Sequence, residues 1–326
     1  MKKNLPTVKL ITFISLLFAV LFLTPKISAQ SSITLTAIPP RVEIKALPGE
    51  TVQQTIKIRN DTDTELVTAS EIKDFIVIDD SGTPMPVEED VSGRWSLTSW
   101  VSMAPVKNIL QPKEIAVIHL VITVPEDALP GGHYAMVLHE PSKEGLLNSG
   151  SSAEISQKVG TLVYLMVEGP ITEKAELVKF TPDKYFKEYG PVDFEALIRN
   201  LSDIHIRPIT NIAVYNMLGQ NSALLNLDEV NIFPFKTRSF QSQFPGKWHL
   251  GRYKAVLTAG YGTQGNKLTG VLYFWIIPWK LILLLVLVLL LVGLVYWKYN
   301  KKDKKKKAKK PGKEKNAPPP VEIPKP

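Results

Sequence analysis

The run 281–297, LILLLVLVLLLVGLVYW, constrains this chain more than any other stretch. It is 17 residues without charge or proline. As a helix rising ~1.5 Å per residue it covers roughly 26 Å, and the apolar residues 273–279 just before it make up the rest of a ~30 Å hydrocarbon core. The alternative is a core helix of a soluble domain. Such a helix normally carries a polar face, and this run has none. Pro278 falls in the first turn, where a helix tolerates it. Trp275, Trp279, Trp297 and Tyr299 bracket the run. Of these, Trp279, Trp297 and Tyr299 are the expected membrane-interface residues. KYNKKDKKKKAKK follows at once, a stop-transfer and positive-inside signal together. The expected topology is single-pass in the cell membrane, N-terminus outside and C-terminus cytoplasmic.

The N-terminus points the same way. Lys2, Lys3 and Lys9 form a basic region, residues 10–23 are apolar, and Ile27-Ser28-Ala29 is a small-residue cleavage site. A signal peptide over 1–29, cut after Ala29, is expected; an uncleaved anchor is the alternative. Charge divides along the same lines. The chain carries +8, residues 1–30 hold +4 and residues 298–326 hold +9, which leaves −5 for 31–297. The basic character therefore belongs to the ends, and net charge gives no reason to expect a nucleic-acid partner. With no cysteine, the exported body must stand on its cores alone. Its length suits two sandwich-sized domains.

The body reads as β structure. Apolar residues alternate over 33–38, 42–46 and 52–58, and β-branched residues fill 115–124. Leu47-Pro48-Gly49-Glu50, Asp79-Asp80-Ser81-Gly82 and Pro130-Gly131-Gly132 are turns. Turn signals at this spacing suit an immunoglobulin-like sandwich. A repeat predicts two related sandwiches, chance similarity between two β domains being the alternative. Ile58-Arg59-Asn60, with Asp63 after it, returns as Ile198-Arg199-Asn200 with Asp203. Gly132-His133-Tyr134 returns as Gly251-Arg252-Tyr253. The first copy carries about 20 extra residues, expected within 79–106 or in the Ser- and Gly-rich loop 141–156. The predicted architecture is all-β, with tandem sandwiches over 30–168 and 169–277. A single transmembrane helix (278–297) and a basic, disordered, proline-ending tail (298–326) follow.

No catalytic constellation is present. His119, His133, His139, His205 and His249 show no metal-ligand spacing, and nucleophile elbow, phosphate loop and catalytic cysteine are all missing. Asp61-x-Asp63-x-Glu65 alternates acids but lacks the glycine and the distal glutamate of a calcium loop. No enzyme, metal or cofactor is expected. The binding candidates are Arg94, Trp95 and Trp100. Two tryptophans five apart allow one to enter the core while the other anchors a sugar or a partner; both in the core is the alternative. At the membrane, Lys301, Lys302, Lys304, Lys305, Lys306, Lys307, Lys309 and Lys310 are expected to lie against the anionic inner leaflet.

Ile-Pro-Pro-Arg-Val-Glu-Ile at 38–44, Leu-Pro-Gly-Glu-Thr-Val at 47–52, Trp-Ser-Leu-Thr-Ser-Trp-Val at 95–101 and Val-Pro-Glu-Asp-Ala-Leu-Pro-Gly-Gly-His-Tyr at 124–134 resemble the WxL-interacting proteins of bacterial surfaces. That resemblance implies a first, peptidoglycan-binding immunoglobulin-like domain, a second sandwich for a partner, a membrane helix and a basic tail. The expected function is therefore a non-enzymatic, membrane-anchored surface protein. The expected partner is cell-wall glycan or a surface protein, with a WxL-domain protein among the candidates. The rival reading is an assembly or chaperone-like factor that works by strand addition at an open sheet edge.

Overall fold

The computed structural model describes residues 35–87, 93–142 and 158–307, with the side chains of 300–307 left aside. The expected signal peptide and its cleavage site after Ala29 lie outside them, as do Lys309, Lys310 and most of the loop 141–156. The architecture is the predicted one: β-sandwiches followed by one long apolar helix.

The chain divides into two compact units. The first holds residues up to Ile76 together with Pro86–Gly169, and the second holds Val77–Met85 together with everything from Pro170.

In the first unit, β1 (Leu35–Ile38), β3 (Thr51–Asn60), β9 (Ile115–Thr123) and β7 (Val101–Ala104) form one sheet in the order β1-β3-β9-β7. The other sheet runs β2-β11-β10-β4-β8, from β2 (Arg41–Ala46), β11 (Val159–Val167), β10 (Gly131–Pro141), β4 (Leu66–Lys73) and β8 (Lys107–Leu110). Strict alternation of buried and exposed residues along β2 and along much of β9 aims one face of each sheet inward. Ile56, Ile58, Ile118, Leu120, Ile122, Val137 and Leu165 meet there as a continuous core. Strand β10 is buried on both faces over 131–139. His139, on its core-facing side, bonds Ser70 Oγ through Nδ1 at 2.7 Å. Burial pushes its pKa down to about 4, so the ring is neutral at ordinary pH.

The second unit repeats this topology. β12 (Ala175–Pro182), β14 (Val192–Asn200) and β17 (Thr237–Phe244) form a three-stranded sheet. The second sheet runs β13-β19-β18-β15-β16, from β13 (Phe186–Lys187), β19 (Asn266–Ile276), β18 (Gly251–Tyr261), β15 (Ile209–Tyr215) and β16 (Asn221–Asn226). The correspondence extends to strand direction. β2 runs parallel to β11 as β13 runs parallel to β19, while the remaining paired neighbours are antiparallel. Phe194, Phe244 and Phe274 fill this core. Tyr134 and Tyr253, the tyrosines of the repeated Gly-x-Tyr, are both buried. What the first unit has in addition is β7, a fourth strand beside β9, while β5 (Phe75–Val77) and β6 (Pro84–Pro86) pair as a separate two-stranded hairpin. The tip of that hairpin belongs to the second unit, where Ser239 N–H donates to the Asp80 carbonyl at 2.8 Å.

Helix α1 (Trp279–Lys307) starts two residues after β19. It is ten residues longer at its C-terminal end than the predicted span, so the first part of the expected disordered tail is helical. Lysine is a good helix former, and no breaker intervenes before Pro311. The apolar part, Trp279–Tyr299, is 21 residues long with no buried residue, enough by length and composition to cross a membrane.

Candidate binding site

The segment 93–100 is neither strand nor α-helix. It is a turn followed by one 3₁₀ turn, Thr98–Trp100. Two anchors hold it. Leu97 is fully buried in the first core. The Asp74 carboxylate accepts four hydrogen bonds: from Ser96 Oγ at 2.6 Å, Thr98 Oγ1 at 2.5 Å, and the Leu97 and Thr98 N–H groups at 3.3 Å each. A carboxylate at the start of a helical turn satisfies donors that the turn itself leaves open. The strand side is fixed by Tyr134 N–H donating to the Trp95 carbonyl at 2.8 Å.

This arrangement sets an open cleft of about 670 Å³, lined by Arg94, Ser99, Trp100, Asp127, Leu129 and His133 among others. The Trp100 and His133 rings lie 4.3 Å apart, tilted by 41°. His133 places Nε2 3.0 Å from the Leu129 carbonyl and Nδ1 3.2 Å from the Ser96 carbonyl. Burial, the largest influence, pushes its pKa below the usual imidazole value. A neutral ring donates through one nitrogen only, so one of these two contacts carries no proton. The cleft therefore offers a guanidinium, a carboxylate, a hydroxyl and an indole edge. It can grip a polar or amphipathic group.

Of the three residues expected to bind, Arg94 and Trp100 line this cleft and Trp95 does not. The division into one core tryptophan and one exposed tryptophan is also not met: both are half-buried. Trp100 packs on the core and on His133, while Trp95 carries the Arg94 guanidinium 4.8 Å from its ring centre. The reason is local. A turn followed by a 3₁₀ turn does not alternate sides as a strand would. Sequence reasoning missed Asp74, Asp127 and His133 as parts of the site. They lie in two separate stretches, one at Asp74 and one over 127–133, and only folding brings them beside 93–100. The acids of Asp61-x-Asp63 are already engaged: Asp61 by Arg59 Nε at 2.6 Å and by Thr36, Asp63 by Lys113 at 3.0 Å.

A second feature adjoins the cleft. Val101, the residue after Trp100, opens β7, the edge strand of its sheet. β7 pairs with residues 119–122 of β9 and stops at Ala104. Among the described residues, no strand is paired to 115–118 on that side, while β3 covers the other. Ile115 and Val117 are exposed there.

At the opposite end of the chain, Trp279 and the pair Trp297 and Tyr299 stand exposed at the two ends of the apolar span. Lys301, Lys302, Lys304, Lys305, Lys306 and Lys307 continue the helix beyond it.

No family model and no curated protein matches the sequence. Among solved structures, the class 5 fimbriae chaperone CfaA is similar at a TM-score of 0.39 and 13% identity, covering 73% of this chain and 98% of its own. The SafB chaperone in complex with the Salmonella enterica SafA pilin is similar at a TM-score of 0.37 and 12% identity, over 73% of this chain and 96% of that one. A PapD-like domain of human CEP192 is similar at 0.31 and 12%, over 45% and 94%.

Proposed function

We propose that this is a non-enzymatic, membrane-anchored surface protein that holds an extended segment of a partner protein on its first sandwich. The helix α1 crosses the cell membrane, the sandwiches stand outside, and the lysine-rich end of the helix lies in the cytoplasm. One observation carries the binding reading: the open edge of β7 begins at the rim of the Arg94–Trp100 cleft, and the unpaired stretch 115–118 of β9 follows beyond Ala104. An incoming strand gains backbone hydrogen bonds along an edge and specificity from a pocket that takes a side chain. Here both are contiguous. Exposed Ile115 and Val117 add apolar surface that an edge strand ordinarily avoids. This is the assembly-factor reading. A second reading, cell-wall glycan in the cleft alone, is favoured by the company of Arg94, Asp127 and the Trp100 indole.

The two separate by mutation. Full-length protein in detergent is offered purified cell wall in one arm and a surface-protein fraction in the other, with a WxL-domain protein as one defined bait. Under strand addition, Ile115→Lys with Val117→Lys and, separately, Trp100→Ala each weaken protein capture, the latter by tenfold or more, as expected for an anchor worth ~2 kcal/mol. Cell-wall retention that responds to Trp100→Ala and Arg94→Ala but not to the edge lysines, with no protein captured, overturns strand addition in favour of glycan.

A further inference from the structure

We infer that the second sandwich is seated on the lipid surface, with the loops 183–191, 216–220 and 245–250 in the headgroup layer of the bilayer that α1 crosses. This rests on the membrane reading of α1 given above.

The strand register places these three loops at one end of the second sandwich. Gly251 pairs with Ile276, Tyr215 with Lys254, Val192 with Phe244 and Phe186 with Trp275. The same end is where α1 leaves. Only Ile277 and Pro278 separate β19 from Trp279, and Ile277 N–H is tied to the Lys187 carbonyl at 2.9 Å. Lys280, in the first turn of the helix, pairs with Glu188 at 2.8 Å. An apolar span of 21 residues is ~31 Å long, the thickness of the hydrocarbon core, so Trp279 must lie at its boundary. A linker of two residues reaches ~7 Å, about the depth of the headgroup layer on one side. The sandwich end has no room to stand clear of the lipid.

The composition of that end suits the position. Phe186 is 70% exposed, Leu218 76%, Trp248 67% and Leu250 63%. The side chains are presented by fixed loops. Asn216 Oδ1 accepts from Leu218 N–H and Gln220 N–H at 3.0 Å each, and Gly219, at φ +77°, completes that turn. Gly190 N–H donates to the Lys247 carbonyl at 3.1 Å, and the Tyr189 and Trp248 rings meet edge to face at 5.3 Å. Lys247 Nζ stands 5.5 Å from the Trp248 ring centre. Amphipathic aromatics with neighbouring lysines are what the interface between acyl chains and phosphates accepts.

The absence of cysteine makes the test direct, since one introduced thiol is the sole label site. Full-length variants Leu218→Cys, Leu250→Cys, Gln264→Cys and Leu289→Cys are spin-labelled and reconstituted into phosphatidylcholine–phosphatidylglycerol vesicles. Collision with oxygen, which concentrates in lipid, is compared with collision with a water-soluble nickel chelate. Gln264 lies in the turn at the far end of the same sandwich, between β18 and β19. Positions 218 and 250 are expected to show an oxygen-to-nickel ratio several-fold above that of 264 and below that of 289. Values at 218 and 250 equal to 264, with 289 deep in lipid, overturn the inference and leave the membrane helix standing. Protection of 218 and 250 from both reagents, with 289 deep, overturns it in favour of a second copy covering the face. A water-like value at 289 overturns the membrane reading itself.

Discussion

Asn60 and Asn200 occupy equivalent places and are both fully buried. Each Oδ1 accepts the N–H two residues on, Thr62 at 2.9 Å and Ser202 at 2.8 Å. Each Nδ2 reaches the carbonyl four residues on, Thr64 at 2.7 Å and Ile204 at 2.8 Å. Each also donates across the sandwich, Asn60 to the Leu110 carbonyl at 3.1 Å and Asn200 to that of Ile232 at 2.8 Å. Asparagine is required because the site needs an acceptor and two donors on one short, uncharged side chain. The repeated Ile-Arg-Asn made both positions visible in the sequence. The long-range bond was not visible, because the partner carbonyl lies 50 residues away in one unit and 32 in the other. Asn60→Ala and Asn200→Ala each leave buried carbonyls unpaired, and each is expected to cost its unit about 1–3 kcal/mol. Urea unfolding of the full chain in micelles reads this; a change in neither midpoint counts against the structural role.

The 3₁₀ turn Thr98–Trp100 depends on a single acid, Asp74, set 22 to 24 residues before its partners. Asp74→Ala removes all four hydrogen bonds. Leu97 remains an apolar anchor, so the sandwich persists while the turn loosens. Amide exchange at Leu97 and Thr98 should accelerate by tenfold or more, corresponding to at least ~1.4 kcal/mol, and partner capture should weaken with it. Unchanged protection would mean that Leu97 alone sets the turn. Nothing in the sequence marked Asp74, since an isolated acid at a strand end is indistinguishable from solvent-facing ones. The strands were easier. Alternation over 42–46 and 52–58 and the β-branched run 115–124 became β2, β3 and β9 because each strand's period places one face in a core. β7 was not legible: four residues, of which Ser102 and Ala104 face out, are too short for a period to emerge.

At the scale of the molecule, the repeat was legible because both copies keep their turn residues where the strands turn. The rim of exposed apolar residues around the base of α1 was not, because its members come from three loops spread over some 65 residues of sequence. Nor was the assignment of Val77–Met85 to the second unit, which no local pattern encodes. That assignment yields a prediction. A chain starting at 170 lacks the Asp80 carbonyl that receives Ser239 N–H on the edge of β17. It should melt below the full chain, and a peptide of residues 75–87 added in trans should raise its transition. No shift at saturating peptide would show that the segment contributes nothing to the second unit. The same segment also bears on how the protein is made. Asp80 emerges 159 residues ahead of Ser239. At ~5–20 residues per second, roughly 8–30 s of synthesis separate them. During that interval the first unit can close its own core while the tip at 77–85 waits without its neighbours. The second unit is therefore finished by a piece made long before it, and a pause or cleavage in the intervening chain would strand that piece beside a fold already complete.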